Sequence, residues 1–266
     1  MGPSVLFCPG DRPDRYGKAL ERADTVVLDL EDAVAPEAKA HARGAVVAAL
    51  PGLPADRVVV RINGTDTPWH GADFAALREV WQGPLMLPKC DGAAAVSALM
   101  PAPVFALIEN AAGVLNADPI AAADNCCGLM WGSEDLTASL GGTSSREPGG
   151  AFTGVSQHAR HHTLLAARRH GRIAIDTVHV DFDDEDGLRA EAESAARMGF
   201  DAKACIHPRQ ADVVRAAFRP SPQQLAWARD ILEAARRHGG VFRQGGTMID
   251  APLVAHARAI LARGSS

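Results

Sequence analysis

Eight short apolar runs recur along the chain, at residues 4–9, 25–30, 57–64, 84–88, 104–109, 127–131, 173–178 and 203–208, and they alternate with stretches of helical character. Most are apolar at consecutive positions, the pattern of strands buried on both faces of a parallel sheet. Strand–helix alternation of this kind calls for right-handed crossovers. Eight such units within 266 residues predict a closed (β/α)8 TIM barrel, an α/β fold whose catalytic groups gather at the carboxyl ends of its strands. Polar tips recur at those ends: Asp29, Glu31, Arg61, Lys89, Glu109, Glu134, Asp135, Asp176 and His207.

Two of the tips stand out. The run Leu129-Met130-Trp131 stops at Gly132-Ser133-Glu134-Asp135, and the run before it stops at Glu109. Consecutive parallel strands bring Glu109 and Asp135 together, and converging carboxylates suit Mg²⁺, which takes few of them and keeps waters for a substrate to displace. Each acid taken alone equally suits the cap of the helix that follows. Arg61 lies inside an apolar run and needs carboxylate partners; holding an anionic substrate and forming a structural ion pair both remain open. The second run supplies Asp29, Glu31 and Asp32.

Arg12, Arg15 and Lys18 follow the turn Pro9-Gly10-Asp11, as a phosphate-binding group or as a solvated helix face. His207 precedes Pro208 at a strand end, where a histidine is more often structural than catalytic. Residues 139–154 form a long polar loop with Gly141-Gly142-Thr143-Ser144-Ser145-Arg146, and loops of this length tend to be functional. The order strand–GxxxxGK[ST]–helix is absent, which excludes a P-loop, and no GxGxxG follows the first strand.

The barrel is expected over residues 1–220. Residues 221–266 stand outside the repeat as a helical extension, a lid or an arm on a neighbouring subunit. A helix from Ser221-Pro222 reaches about residue 238, Gly239-Gly240 breaks it, and Gly240, Gly245 and Gly246 allow movement before the last helix. Asp250, with Pro252 just after it, reads locally as a helix N-cap.

A net charge of −5 and the lack of a long Lys/Arg block exclude a nucleic-acid footprint. No apolar run reaches the roughly 18 residues of a membrane span, and a strand beginning at Ser4 leaves no room for a signal peptide. The five cysteines are odd in number and lack a CxxC pair, as expected of thiols in a cytoplasmic protein.

The motifs Leu6-Phe7-Cys8-Pro9-Gly10-Asp11-Arg12-Pro13, Leu28-Asp29-Leu30-Glu31-Asp32-Ala33-Val34, Val60-Arg61-Ile62-Asn63, Leu87-Pro88-Lys89, Leu107-Ile108-Glu109, Trp131-Gly132-Ser133-Glu134-Asp135-Leu136, Ile206-His207-Pro208 and Met248-Ile249-Asp250 form a specific set. Together they resemble the citrate lyase β-subunit-like (CitE-like) proteins of the HpcH/HpaI aldolase superfamily, of the actinobacterial stand-alone kind, over essentially the whole chain. The resemblance implies a homotrimer whose extension reaches over a neighbour. It implies Mg²⁺ on Glu109 and Asp135, with Asp29, Glu31 and Asp32 ordering the metal's waters. Arg61 would contact a 2-oxo or 2-hydroxy acid, and amides around Gly132, Ser133, Glu134 and Asp135 would bind its carboxylate. Arg12, Lys18, His207 and Pro208 are the implied coenzyme A contacts. Asp250 becomes the acid/base group, supplied by the neighbouring subunit.

The implied reaction is Claisen-type cleavage of a β-hydroxyacyl-CoA such as malyl-CoA or citramalyl-CoA to acetyl-CoA and a 2-oxo acid. Three alternatives stay open: a malyl-CoA thioesterase, a CoA-independent metal aldolase, and an accessory citrate lyase subunit acting on an acyl-carrier protein. Asn110 where many members carry threonine, Ala202-Lys203 for a common Gly-Lys, and Thr247 for a longer polar residue depart from the family pattern.

Overall fold

The structure is a computed structural model and describes residues 1–264. Eight parallel strands close into a barrel in chain order: β1 (Ser4–Pro9), β2 (Thr25–Asp29), β3 (Val58–Arg61), β4 (Leu85–Leu87), β5 (Val104–Ile108), β6 (Cys126–Trp131), β7 (Ile173–Asp176) and β8 (Ala202–Cys205). The ring is closed by β8 against β1, with Val5 opposite Ala204. The crossovers carry α1 (Pro13–Arg22), α2 (Lys39–Ala49), α3 (His70–Leu77), α4 (Ala93–Ser97), α5 (Ala111–Leu115) with α6 (Ala117–Ala122), α7 (Ser133–Ser139) with α8 (Gly154–Arg169), and α9 (Glu185–Met198). Helix α10 (Pro208–Phe218) follows β8. The expected (β/α)8 barrel is therefore present.

Some strands are shorter than their apolar runs because the ends leave the ladder to shape the barrel mouth. After β3, Asn63 turns away with its backbone N–H and its side-chain amide both donating to Asp73 Oδ2, at 3.0 and 2.6 Å. The helical stretch after β5 is divided. Asn110 caps α5 by accepting from the Gly113 N–H at 2.7 Å, and α6 starts again at Ala117.

Alternation along the strands explains how the site is built. Inside the barrel, Val5, Val27, Val59, Met86, Phe105, Leu107, Met130 and Ile175 pack with Ala202 and Ala204. Successive side chains of a strand point to opposite faces, so residues two apart share a face. Two positions on from Val27, Val59, Leu107 and Met130 come Asp29, Arg61, Glu109 and Gly132, the polar layer above the apolar interior.

The chain divides into two compact units, Met1–Val214 and from Arg215 onward. In the second, α11 (Pro222–His238) begins at a capping box formed by Ser221 and Gln224. An antiparallel hairpin, β9 (Phe242–Gln244) and β10 (Thr247–Ile249), follows, and then α12 (Ala251–Gly264). Ala228, Ile231, Ile249 and Ala257 form its core. Gly245 and Gly246, with φ of +54° and +84°, make the two-residue turn of this hairpin, the backbone sign that such turns require. Both glycines serve that turn.

Candidate active site

Phe7, Pro9, Asp29, Asp32, Ala33, Arg61, Leu107, Glu109, Met130, Gly132, Ser133, Glu134, Asp135, Thr177, Val178 and Ile206 line one cavity of about 370 Å³ at the carboxyl ends of the strands. It gathers the expected metal, oxo-acid and amide positions in one place. Apolar side chains form its floor, and charged groups form its wall.

Arg61 is 8% exposed and is gripped by acids. Its Nε and Nη2 donate to Asp29 Oδ1 and Oδ2, both at 2.6 Å, the paired geometry a guanidinium gives a carboxylate. Its Nη1 lies 2.9 Å from Glu31 Oε2. The guanidinium carbon also sits 4.8 Å from the Phe7 ring centroid, so one face of the fork is stacked. Asp29 accepts in addition from the backbone N–H groups of Glu31 and Ala33, at 2.9 and 3.0 Å. Burial alone would raise the Asp29 pKa; the charge and hydrogen bonds of Arg61 outweigh it and hold this carboxyl below its ordinary value. Both Asp29 oxygens are thus occupied by protein donors. Of the three acids expected to order metal waters, Asp29 is engaged in holding Arg61.

Glu109 is 2% exposed. Burial, then the negative charges of Asp135 and Glu31, push its pKa up to about 8. Its Oε1 accepts from the Lys89 backbone N–H at 2.8 Å. A side chain at Gly132 would meet Glu109 Oε2 at 2.8 Å and its Cβ at 2.9 Å, so glycine is what lets this carboxylate approach β6. Glu31 is likewise pushed up by burial. Carboxylates packed at this density repel one another, and a hard cation relieves that repulsion. Two carboxylates with room for water and substrate oxygens fit Mg²⁺. Among the described residues no three or more His, Cys, Asp or Glu side chains are grouped so as to hold a metal ion by themselves.

Lys89 was named in the sequence as a strand tip but not as a site residue. Its ammonium bonds Glu31 Oε1 at 2.5 Å and lies 3.4 Å from Asp135 Oδ1. Burial would lower its pKa, but the Glu31 hydrogen bond and the surrounding acids hold it above the ordinary lysine value. Position at the end of β4, level with the tips of β3 and β5, was the available signal.

At the start of α7, the Ser133 N–H donates to Thr177 Oγ1 at 3.2 Å. The Ser133 and Ser145 hydroxyls donate to Glu134 Oε1 at 3.0 and 2.7 Å. First-turn N–H groups lack intrahelical partners, which suits them to an anion. Ser145 lies in loop 140–153, and Arg146 beside it pairs with Glu191 Oε1 at 2.5 Å. Glu191 also meets Lys203 at 3.1 Å and His179 at 3.1 Å. Asp176, a strand tip by sequence, turns into this buried network: it accepts from Trp131 Nε1 at 2.7 Å and pairs with Arg160 at 2.8 Å.

Arg12 pairs with Asp14 on an exposed surface, at 3.0 Å, and Lys18 lies on the exposed side of α1. His207 and Pro208 line a second cavity with Arg22, Arg209 and Asp212. The four expected coenzyme A positions are therefore not gathered in either cavity. Asp250 belongs to the second unit. There it accepts from the Leu253 N–H at 3.3 Å as the cap of α12.

A closed (β/α)8 barrel with a carboxylate-rich mouth and one gripped arginine defines a class of enzyme-bearing barrels. The chain belongs to the HpcH/HpaI aldolase/citrate lyase family, whose model matches residues 3–208. It is 49% identical to the citrate lyase subunit beta-like protein of Mycobacterium tuberculosis, over 98% of this chain and 95% of that one. It is 39% identical to a (3S)-malyl-CoA thioesterase of Cereibacter sphaeroides, over 98% and 92% of the two chains. The crystal structure of CitE from Mycobacterium tuberculosis in complex with magnesium, acetoacetate and coenzyme A superimposes with a TM-score of 0.95 at 48% identity, covering 100% of this chain and 98% of that one.

Proposed function

We propose that this protein is a Mg²⁺-dependent carbon–carbon lyase acting on a β-hydroxyacyl-CoA such as malyl-CoA or citramalyl-CoA, in either direction, with acetyl-CoA and a 2-oxo acid as the cleavage products. The observation that carries the reading is the buried Glu109 carboxylate, 2% exposed, which shares one cavity with Asp135 and Arg61. Membership of the aldolase/citrate lyase family and the magnesium, acetoacetate and coenzyme A held by the mycobacterial CitE structure support it.

Bound to Glu109 and Asp135, Mg²⁺ would supply Lewis-acid polarisation of the oxo-acid carbonyl and a fixed orientation for it. Glu31 and Asp32 would order its waters. The first-turn amides of Glu134 and Asp135 would hold the substrate carboxylate; of the other two expected amides, the Gly132 N–H donates to Ile108 O at 3.0 Å and the Ser133 N–H to Thr177 Oγ1 at 3.2 Å. In cleavage the β-hydroxyl loses its proton as its carbon becomes a carbonyl, the carbon–carbon bond breaks, and the acetyl carbon takes up a proton. Arg61, aimed by Asp29, would stabilise the developing oxyanion. Phe7, Leu107, Met130, Val178 and Ile206 would keep water from the carbanionic carbon. Asp250 of a neighbouring copy in a homotrimer would handle the proton at that carbon. Arg12, Lys18, His207 and Pro208 would meet the nucleotide end of the thioester, and the reaction belongs in the cytoplasm.

A second reading is thioester hydrolysis on the same site, favoured by the 39% identity to a (3S)-malyl-CoA thioesterase. Incubation with a panel of acyl-CoA thioesters and Mg²⁺, products identified by mass, separates the two. Lyase chemistry gives acetyl-CoA and a 2-oxo acid. Free CoA with an intact hydroxy acid and no 2-oxo acid overturns the lyase reading in favour of hydrolysis.

A further inference from the structure

Lys89 reaches the acid cluster from two directions. Its backbone takes a left-handed conformation, φ +50°, the one non-glycine case among the described residues. That conformation is strained for a residue with a side chain and persists where neighbouring contacts over-determine it. Three do so here. The Lys89 N–H donates to Glu109 Oε1 at 2.8 Å, its carbonyl accepts from Asn110 Nδ2 at 3.0 Å, and its ammonium bonds Glu31 Oε1 at 2.5 Å. The same ammonium lies 3.4 Å from Asp135 Oδ1 and 3.9 Å from Asp32 Oδ1.

One residue thus touches both carboxylates assigned above to the divalent ion, and the two contacts act differently. The N–H fixes one oxygen of Glu109. The ammonium brings a unit positive charge to Asp135, the carboxylate a second cation would share, and the short bond to Glu31 anchors it there. Two cations on one carboxylate repel each other.

We propose that Lys89 is a tethered competitor for the divalent cation: its ammonium shares Asp135 with the ion and so sets how tightly the site holds it. The inference rests on the metal reading of Glu109 and Asp135. It also accounts for lysine at a backbone position that glycine would take without strain. Glycine would keep the N–H to Glu109 but lose the charge.

Calorimetric titration of Mg²⁺ into the intact protein tests this. Lys89→Met and Lys89→Gly should each bind Mg²⁺ about tenfold more tightly than the wild type, and Lys89→Arg should stay within about threefold of it. The Mg²⁺-induced rise in melting temperature should follow the same order. The glycine variant relieves the backbone strain, so it reports even if the methionine variant folds poorly. Wild-type or weaker Mg²⁺ binding in both uncharged variants overturns the role of Lys89. Glu109→Gln is the control. Wild-type Mg²⁺ affinity in that variant, or no Mg²⁺ binding by the wild type, overturns the metal reading and this inference with it.

Discussion

Asp29 and Arg61 face each other in the register of adjacent strands β2 and β3 and meet through two 2.6 Å hydrogen bonds. The barrel itself therefore aims the guanidinium. Removing the acid leaves a buried charge short of its main partner, so Asp29→Ala should lower stability by about 3 kcal/mol in chemical denaturation. Arg61→Lys keeps a charge but loses the planar fork. Its turnover should fall by roughly 100-fold, with a much smaller loss of stability than Asp29→Ala. Near-normal turnover in Arg61→Lys would reduce the arginine to a structural ion-pair partner.

The metal prediction concerns Glu109 and Asp135. Glu109→Gln and Asp135→Asn should abolish Mg²⁺-dependent turnover while the circular dichroism of the barrel is retained. EDTA should silence the wild type, and added Mg²⁺ should restore it. Gly132→Ala tests the same carboxylate from its other side, because the new methyl would stand 2.8 Å from Glu109 Oε2. Weaker Mg²⁺ binding is expected there. Undiminished activity in EDTA would sink the reading.

Much of this was legible in the chain. Consecutive apolar runs required strands buried on both faces, and eight of them fitted a barrel. The period of two in a strand then put Asp29, Arg61 and Glu109 on the inner face above Val27, Val59 and Leu107. What stayed hidden depended on side-chain direction beyond the strand ends. Asp176 and Lys89 are both strand-tip residues, yet Asp176 turns into a buried network with Arg160 and Lys203 while Lys89 turns to the site. Nothing in a linear pattern separates them, because partners far apart in sequence decide the direction. The hairpin of β9 and β10 was missed for a local reason: strands of three residues are too short to show a period.

Glu191 supplies a pH dependence. Burial alone would raise its pKa, but the hydrogen bond from His179 and the charges of Lys203 and Arg146 outweigh burial and hold it at about 2, against an ordinary value of 4.5. A depressed carboxyl contributes stability that is present above about pH 4.5 and is lost as pH falls toward 2. The contribution at neutral pH is on the order of 3 kcal/mol. Urea unfolding at pH 7 and pH 3 should show a larger loss for the wild type than for Glu191→Gln. Equal losses would remove Glu191 from the acid response. Because Arg146 anchors loop 140–153 to Glu191, the Gln variant should also exchange amide hydrogens faster in that loop.

Asp250 calls for a test that separates its local role from a catalytic one. As the cap of α12 it accepts a hydrogen bond from the Leu253 N–H through Oδ1. Asparagine keeps that acceptor, so Asp250→Asn should leave the melting temperature within about 2 °C of the wild type, because the variant retains the cap. It loses the carboxylate, so turnover should fall by 100-fold or more on the scale of a missing acid/base group. The shared-site proposal goes further. In a homotrimer each site would combine Arg61 of one subunit with Asp250 of another. Subunit exchange between Asp250→Asn and Arg61→Ala proteins, each inactive alone, would create some sites with both groups intact. Activity should reappear in the mixture as exchange proceeds. Mixed trimers as inactive as their parents would rule out the shared site, and an Asp250→Asn protein with wild-type turnover would leave the residue its cap role alone.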